Sequence, residues 1–529
     1  MKQTNEPVIL ATDLGTSSMK VALITIQGEV LGWQAQNIET HLTADGGVEQ
    51  SPAEWWGAFV ACTRQLLAQG VVPAASVVAV CCSTQGEGTI PVDSAGSALM
   101  NCISWMDMRG QPNLLREFKG LININGMSAV KVLRWIRLTG GMPSASGKDP
   151  AAHMLYIRDQ FPRVYEKTYK FLNVLDYLNL RLTGRFTATY DSIMTSWVTD
   201  NRDPDAIHYD PGLVRNCGVA VDKLPEILPC TAVLGEIKPD VAEMLGLSSS
   251  VKVVAGAIDT TAAAIGAGAV EDDLPHLYLG TSSWITAHVP YKKTDIASAL
   301  ASVPCAVPGR YLLIALQATA GGNLNFLRDR IIYNKDELLQ EADVPDIFKY
   351  LDQIAARVPA GSNGVLYTPW IWGERAPVED KTVRAGLYNL SLHNSREDII
   401  RAFLEGIALN TRWLLQPVKK FLGKDVEKIH IVGGGAQSDV WCQIFADVMN
   451  LLIRQVEEPV YANARGAAWI GAVGLNEIAF SDIPGLVKIR RDYLPDEKNR
   501  TIYDQRFEQF ISIYKQMKSI YKKMNCLEN

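Results

Sequence analysis

The chain has 529 residues, 47% of them hydrophobic and 20% charged, a globular composition that excludes a disordered chain. Lys and Arg number 51 against 57 Asp and Glu, and the net charge of −6 offers no electrostatic reason for a nucleic-acid or anionic-membrane partner. Single cores stop growing near ~250–300 residues, so at least two domains are required.

Along the chain, runs of Val, Ile and Leu bounded by Gly, Ser or Asp read as strands, and apolar residues spaced i, i+3/i+4 read as helices. The first series is strand 8–11, strand 21–26, helix 54–69, strand 77–82, helix 173–182 and strand 251–254. A second series runs through strands 277–279, 284–289 and 311–316, helix 396–415, strand 429–432 and helix 440–451. At the end, Phe507, Phe510, Tyr514, Met517 and Tyr521 fall at helical spacing, as the docking stripe of a terminal helix. Such alternation predicts α/β domains whose sheets are covered by helices. The link between the halves is expected in the Ala/Gly-rich stretch 255–275.

The nine cysteines are odd in number and include no CxxC pair, which predicts a reduced, cytoplasmic compartment. The first residues reach Asp13 too soon for a secretory signal, and 253–270 is too weakly apolar to span a membrane.

One pentapeptide occurs twice, half a chain apart. Leu14-Gly-Thr-Ser-Ser18 and Leu279-Gly-Thr-Ser-Ser283 each stand between two strand-like runs. The backbone N–H groups and hydroxyls of such a turn can form a nest around a phosphate. Two of them, one per half, can grip a polyphosphate in an interdomain cleft. Other phosphate loops fail. Ahead of Gly147-Lys148, Met142 stands where the first Gly of a P-loop belongs, and Asp149 follows in place of Ser or Thr. Gly266-Ala-Gly268 runs on to Glu271 rather than Gly, and the seven histidines form no HExxH motif.

Two carboxylates stand out. Asp13 directly precedes the first turn, where it either organises a bridging Mg²⁺ or bonds its own turn backbone. Asp259 is the only formal charge in 253–270. There it is a helix N-cap, a general base at a cleft, or both. Gly433-Gly-Gly435-Ala-Gln-Ser-Asp439, between a strand and a helix, either admits a flat ligand such as a nucleotide base or is a structural turn.

Together these pieces resemble the FGGY family of carbohydrate kinases, over nearly the whole chain. The matching segments are Asp13–Lys20, Gly280–Trp284, Gly433–Asp439, Lys131-x-x-x-Trp135, and Gly373-Glu-Arg-Ala-Pro377 with Gly386-Leu387. The resemblance implies two ribonuclease-H-like domains of the actin, heat-shock ATPase and sugar kinase superfamily, closing on a cleft. It places an N-terminal, sugar-binding domain at 1–258 and a C-terminal, nucleotide-binding domain at 259–529. It implies ATP and Mg²⁺ as cofactors, Asp259 as catalytic base and Asp13 as the metal-organising carboxylate. Gly15, Thr16, Ser17, Gly280, Thr281 and Ser282 would face phosphates. Gly321 and Asn325 match a second nucleotide segment, and Gly434, Gly435 and Asp439 would meet the adenosine end.

For the acceptor, the resemblance implies contacts from Gln85, Glu87, Asp107 and Asp259. Ser83-Thr-Gln-Gly-Glu-Gly88 falls where xylulokinases carry Gln-Met-His-Gly and glycerol kinases carry Gln-Arg-Glu. Chain length and Val174-Leu-Asp176-Tyr-Leu178 are similar to xylulokinase-like members. The expected reaction is phosphorylation of a terminal hydroxyl of a ketose, a pentulose such as xylulose. A glycerol or polyol kinase, or an ATP-binding sugar sensor without catalysis, is the alternative. The resemblance also makes a homodimer an expectation, without an interface signature in the sequence.

Overall fold

The structure is a computed structural model that describes residues 6–124, 126–334, 336 and 346–525. Cys526 lies outside the described residues; the other eight cysteines are free and buried.

The N-terminal half begins with β1 (Val8–Leu14), β2 (Ser18–Thr25) and β3 (Val30–Asn37), followed by α1 (Pro52–Ala68) and β4 (Val77–Thr84). Then come α2 (Pro150–Gln160), α3 (Val174–Thr183), β5 (Val233–Glu236) and β6 (Lys252–Ile258). The strands form one sheet in the order β5-β6-β4-β1-β2-β3. Every residue of β1 is buried, because helices cover both faces of the sheet and a strand in that position must be apolar throughout. The same burial explains why β1 continues past Ala11 to take Thr12 and Asp13 into the sheet. Helix α1 starts where Ser51 accepts a hydrogen bond from the Glu54 amide and Pro52 supplies a preset φ.

The next elements are α4 (Asp259–Gly266), β7 (His276–Leu279), β8 (Ser283–Val289), β9 (Thr294–Asp295), β10 (Leu300–Pro304) and β11 (Tyr311–Gln317). They are followed by α5 (Gly322–Phe326), α6 (Arg396–Leu422), β12 (Lys428–Val432), α7 (Asp439–Met449), β13 (Leu452–Val456), α8 (Ala462–Gly474), β14 (Ile489–Tyr493) and α9 (Arg500–Asn525). The second sheet has the order β9-β10-β11-β8-β7-β12-β13-β14. The halves repeat one plan. β1 is antiparallel to β2 and parallel to β4, as β7 is antiparallel to β8 and parallel to β12. The two Gly-Thr-Ser turns are therefore equivalent hairpins.

The stretch expected to link the halves is no loose linker, since residues 261–270 are all buried. Helix α8 comes from the second half but lies on the first sheet. Its Trp469, Ile470 and Ala472 cluster with Ile9, Ala11, Ala22, Ile24 and Cys81. Helices α4 and α8 cross in backbone contact at two glycines. A Cβ on Gly466 would stand 1.8 Å from the Ala262 carbonyl oxygen, and one on Gly266 1.8 Å from that of Ala462. Only glycine permits this approach.

Candidate active site

A cavity of about 770 Å³ lies between the halves. Thr16, Gln85, Glu87, Trp105, Lys148 and Asp149 line it from the first half. Asp259, Ser282, Ser283, Gln317, Arg375 and Lys381 line it from α4 and the second half.

The two hairpin tips flank this space. In each, the glycine amide closes the turn: Gly15 N–H donates to the Ser18 carbonyl and Gly280 N–H to that of Ser282, both at 3.0 Å. The amides of Thr16, Ser17, Thr281 and Ser282 make no hydrogen bond among the described residues, so these four, and not the glycines, remain for an anion. The second turn is braced by the amides of Ala320, Gly321 and Gly322, which donate to the carbonyls of Gly280 and Thr281 at 2.8–3.0 Å. Gly321 thus supports the turn. Asn325, on α5, is half-buried, and its side chain makes no hydrogen bond among the described residues.

Asp13 is 5% exposed. Its place in β1 opposite Lys20 of β2 follows from the register, and the two side chains pair at 3.2 Å. Its other oxygen accepts from Asn463 Nδ2 of α8 at 3.2 Å. Asn463 Oδ1 is buried without a donor. Among the described residues no three His, Cys, Asp or Glu gather as metal ligands. Mg²⁺ does not need such a cage, because one or two carboxylates, phosphate oxygens and water suffice. Asp13 and the unpaired Asn463 oxygen fit that requirement.

Asp259 is the first residue of α4 and faces the cavity, and no side chain caps that helix end. Burial and the nearby Asp13 charge push its carboxyl up to about 7. Asp191, which stands in no sequence motif, fixes the backbone just before it. Its carboxylate accepts from the Ile258 amide at 3.0 Å and from Thr189 Oγ1 at 2.7 Å.

On the acceptor side, Gln85 and Thr16 form one network. Thr16 Oγ1 donates to Gln85 Oε1 at 3.0 Å and accepts from Trp105 Nε1 at 3.1 Å. Gln85 Nε2 donates to Gln50, whose own amide donates to the Thr16 carbonyl. The Thr16 hydroxyl is thus spent on the acceptor wall, and only its amide is left for phosphate. Glu87 lines the cavity with φ at 64°, the left-handed region. Asp107 departs from expectation. It is fully buried behind the wall, where Arg109 grips it through Nε and Nη2 and the Val48 amide donates at 2.8 Å. A carboxylate so saturated braces the Trp105 turn and does not line the cavity. Lys131 and Trp135 are structural too: Lys131 donates to the Glu117 and Asn216 carbonyls, and Trp135 packs on Phe118. Glu374 accepts from the Ala318 and Arg375 amides and from Asn410, which sets Arg375 at the cavity.

At the far end, Gly433 (φ 96°) and Gly435 pack against Leu279, where a Cβ would come within 2.7 Å. Gly434 is exposed with open space above it. Asp439 is held by Tyr493 Oη at 2.9 Å and by Arg490 and Arg491, so its carboxylate is already engaged.

Two hairpins equipped for phosphate, a carboxylate fit for a metal and a carboxyl at a hydroxyl-lined cavity define a phosphotransferase cleft. The chain belongs to the FGGY family of carbohydrate kinases: the family's N-terminal domain matches residues 8–266 and its C-terminal domain residues 277–475. It is therefore an ATP-dependent sugar kinase. It is 27% identical to a xylulose kinase from Staphylococcus epidermidis over 97% of both chains. It is 24% identical to a gluconokinase from Bacillus licheniformis over 97% of this chain and 96% of that one. Its fold is similar to the crystal structure of a gluconate kinase from Lactobacillus acidophilus, with a TM-score of 0.83 at 24% identity over 98% of this chain and 100% of the other.

Proposed function

We propose that this kinase transfers the γ-phosphoryl group of ATP to a terminal hydroxyl of an open-chain sugar, with Asp259 as general base. The position of Asp259 carries the reading, at the wall of the cavity that Thr16 and Ser282 of the two hairpins and Glu87 also line. A carboxyl near 7 takes a proton from a substrate hydroxyl more readily than an ordinary carboxylate. The hydroxyl oxygen then bonds the γ-phosphorus while the bond to the ADP oxygen breaks. The free amides of Thr16, Ser17, Thr281 and Ser282 would hold the phosphate oxygens as charge moves. Mg²⁺, organised by Asp13, would neutralise the phosphates. Relatives named xylulose kinase and gluconokinase support a sugar or sugar acid as the acceptor. The sequence directs the first assays to pentuloses, xylulose foremost, and then to glycerol and other polyols. The eight free cysteines support work in the reducing cytoplasm.

The test is Asp259→Ala. The variant is expected to bind ATP and to release no ADP when offered an acceptor that the unaltered enzyme phosphorylates. Unchanged turnover would remove Asp259 from the mechanism.

A further inference from the structure

A second cavity, of about 640 Å³, opens on the first half and shares no lining residue with the cleft. Its walls are the start of α1, the loop 94–101, the last turn of α3 and Lys238. That volume is enough for a small metabolite. No Asp or Glu lines the cavity, while Arg181 and Lys238 both do.

The protein itself makes little use of either cation. The Arg181 guanidinium lies 4.6 Å from the centre of the Trp56 ring, and its Nη1 donates to Tyr177 Oη at 3.1 Å. These contacts hold the fork in place. Among the described residues they leave Nε and Nη2 without an acceptor, and the charge has no ion pair within 4 Å. A guanidinium carries five N–H donors, and a fixed fork with free donors matches the oxygens of a phosphate. Lys238 has only Asp240, 3.8 Å away and largely exposed, and a surface pair of that length is weak. In the loop, the Asp93 carboxylate accepts from the amides of Ala95 and Ser97 at 3.0 and 2.8 Å. The turn is thereby closed, and the exposed hydroxyls of Ser94 and Ser97 make no hydrogen bond among the described residues.

Helix α3 also ties this cavity to the base. Asn179, on the same turn as Arg181, donates through Nδ2 to the Ala255 carbonyl of β6 at 2.7 Å. Strand β6 ends at Ile258, and Asp259 follows it. A ligand that holds the last turn of α3 therefore bears on the strand that carries Asp259.

We propose that this cavity is an effector site for a sugar phosphate, with the phosphate on Arg181 and Lys238 and the sugar hydroxyls on Ser94 and Ser97. The binding is independent of the kinase reading, and only the effect on turnover rests on it.

Calorimetric titration of the intact enzyme with D-glucose 6-phosphate tests the site, with inorganic phosphate as the smaller probe. The sugar phosphate is expected to bind with a Kd below about 1 mM, and inorganic phosphate at least about tenfold more weakly. Arg181→Met keeps an apolar stem on Trp56. That variant and Lys238→Gln should each weaken binding by about tenfold or more. Without sugar phosphate, both variants should release ADP with an acceptor within about twofold of the unaltered enzyme. At saturation, the sugar phosphate should change turnover of the unaltered enzyme by about twofold or more and leave that of Arg181→Met unchanged. Absent binding, displacement by ATP, or unaltered affinity in both variants would overturn the proposal. Equal affinity for inorganic phosphate would overturn the sugar assignment, and binding without a change in turnover the effector role. ADP release with no acceptor defeats the kinase reading itself and leaves the titration standing.

Discussion

Replacing Asp259, the proposed general base, should stabilise the protein while abolishing its chemistry. The carboxyl of Asp259 moves from 3.8 to about 7 on folding, chiefly through burial and then through Asp13. Its proton is held more tightly in the folded state. The ionised group therefore opposes folding, from zero cost below about pH 4 to its full cost above pH 7. About three units correspond to a ceiling of ~4 kcal/mol, and water reaching the cleft reduces this to ~2 kcal/mol. Asp259→Asn removes the charge and keeps the shape. For domains of this size ~2 kcal/mol raises the melting temperature by roughly 4–8 °C. Ligand-free protein and variant would be melted by calorimetry at pH 4 and pH 8. The gain should appear at pH 8 and vanish at pH 4. An equal gain at both, or a variant less stable at pH 8, would refute the electrostatic account. Adding Asp13→Asn should shrink the gain, because the second repelling charge is then absent.

The crossing of α4 and α8 is open to a similar check. Gly466→Ala puts a methyl 1.8 Å from the Ala262 carbonyl oxygen, so the helices must part. Overpacking of this kind costs about 1–3 kcal/mol. A lower melting temperature is expected, and normal stability with normal turnover would remove the tight contact. In the second half, His276, His288 and His430 are buried, with each Nδ1 bonded and each Nε2 without a partner. Burial lowers His276 to about 3 and His288 to about 4, and lowers His430 as well. These rings stay neutral when folded but bind protons below ~6.5 when unfolded, so their contribution is intact above that pH and is lost as pH falls through it. At pH 5 the loss is ~2 kcal/mol each for His276 and His288. Ring NMR signals should not titrate between pH 8 and 5, and a midpoint near 6.5 for any of the three would contradict the burial argument.

Much of the cleft was legible because its parts are local. The repeated Leu-Gly-Thr-Ser-Ser lies on adjacent residues between apolar strands, and the first of these apolar runs leads directly into Asp13, just before the turn. What local sequence does not carry is which partner spends a polar group. Asp107 looks like a substrate carboxylate until Arg109 folds back on it. Gly15 and Gly280 look like phosphate donors until their amides close the hairpins. Lys131-x-x-x-Trp135 looks like a site element until its lysine is found on two carbonyls.

The residues that sequence reading missed share a different cause. Asp191 and Lys148 stand in no local motif and reach the cavity only through tertiary packing, while Arg375 sits in a segment that matches the family without a role of its own. In the sequence Lys148 reads only as part of a failed phosphate loop, because its neighbours are a glycine and an aspartate. That it lines the cavity without an ion pair within 4 Å among the described residues is a property of three-dimensional packing. The same holds for Asn463, whose oxygen is unpaired beside a carboxylate 450 residues away. Chemistry that uses paired groups leaves its mark in local spacing. Chemistry that waits for a ligand leaves an unpaired group in a buried place, and the packed structure is where such groups become visible.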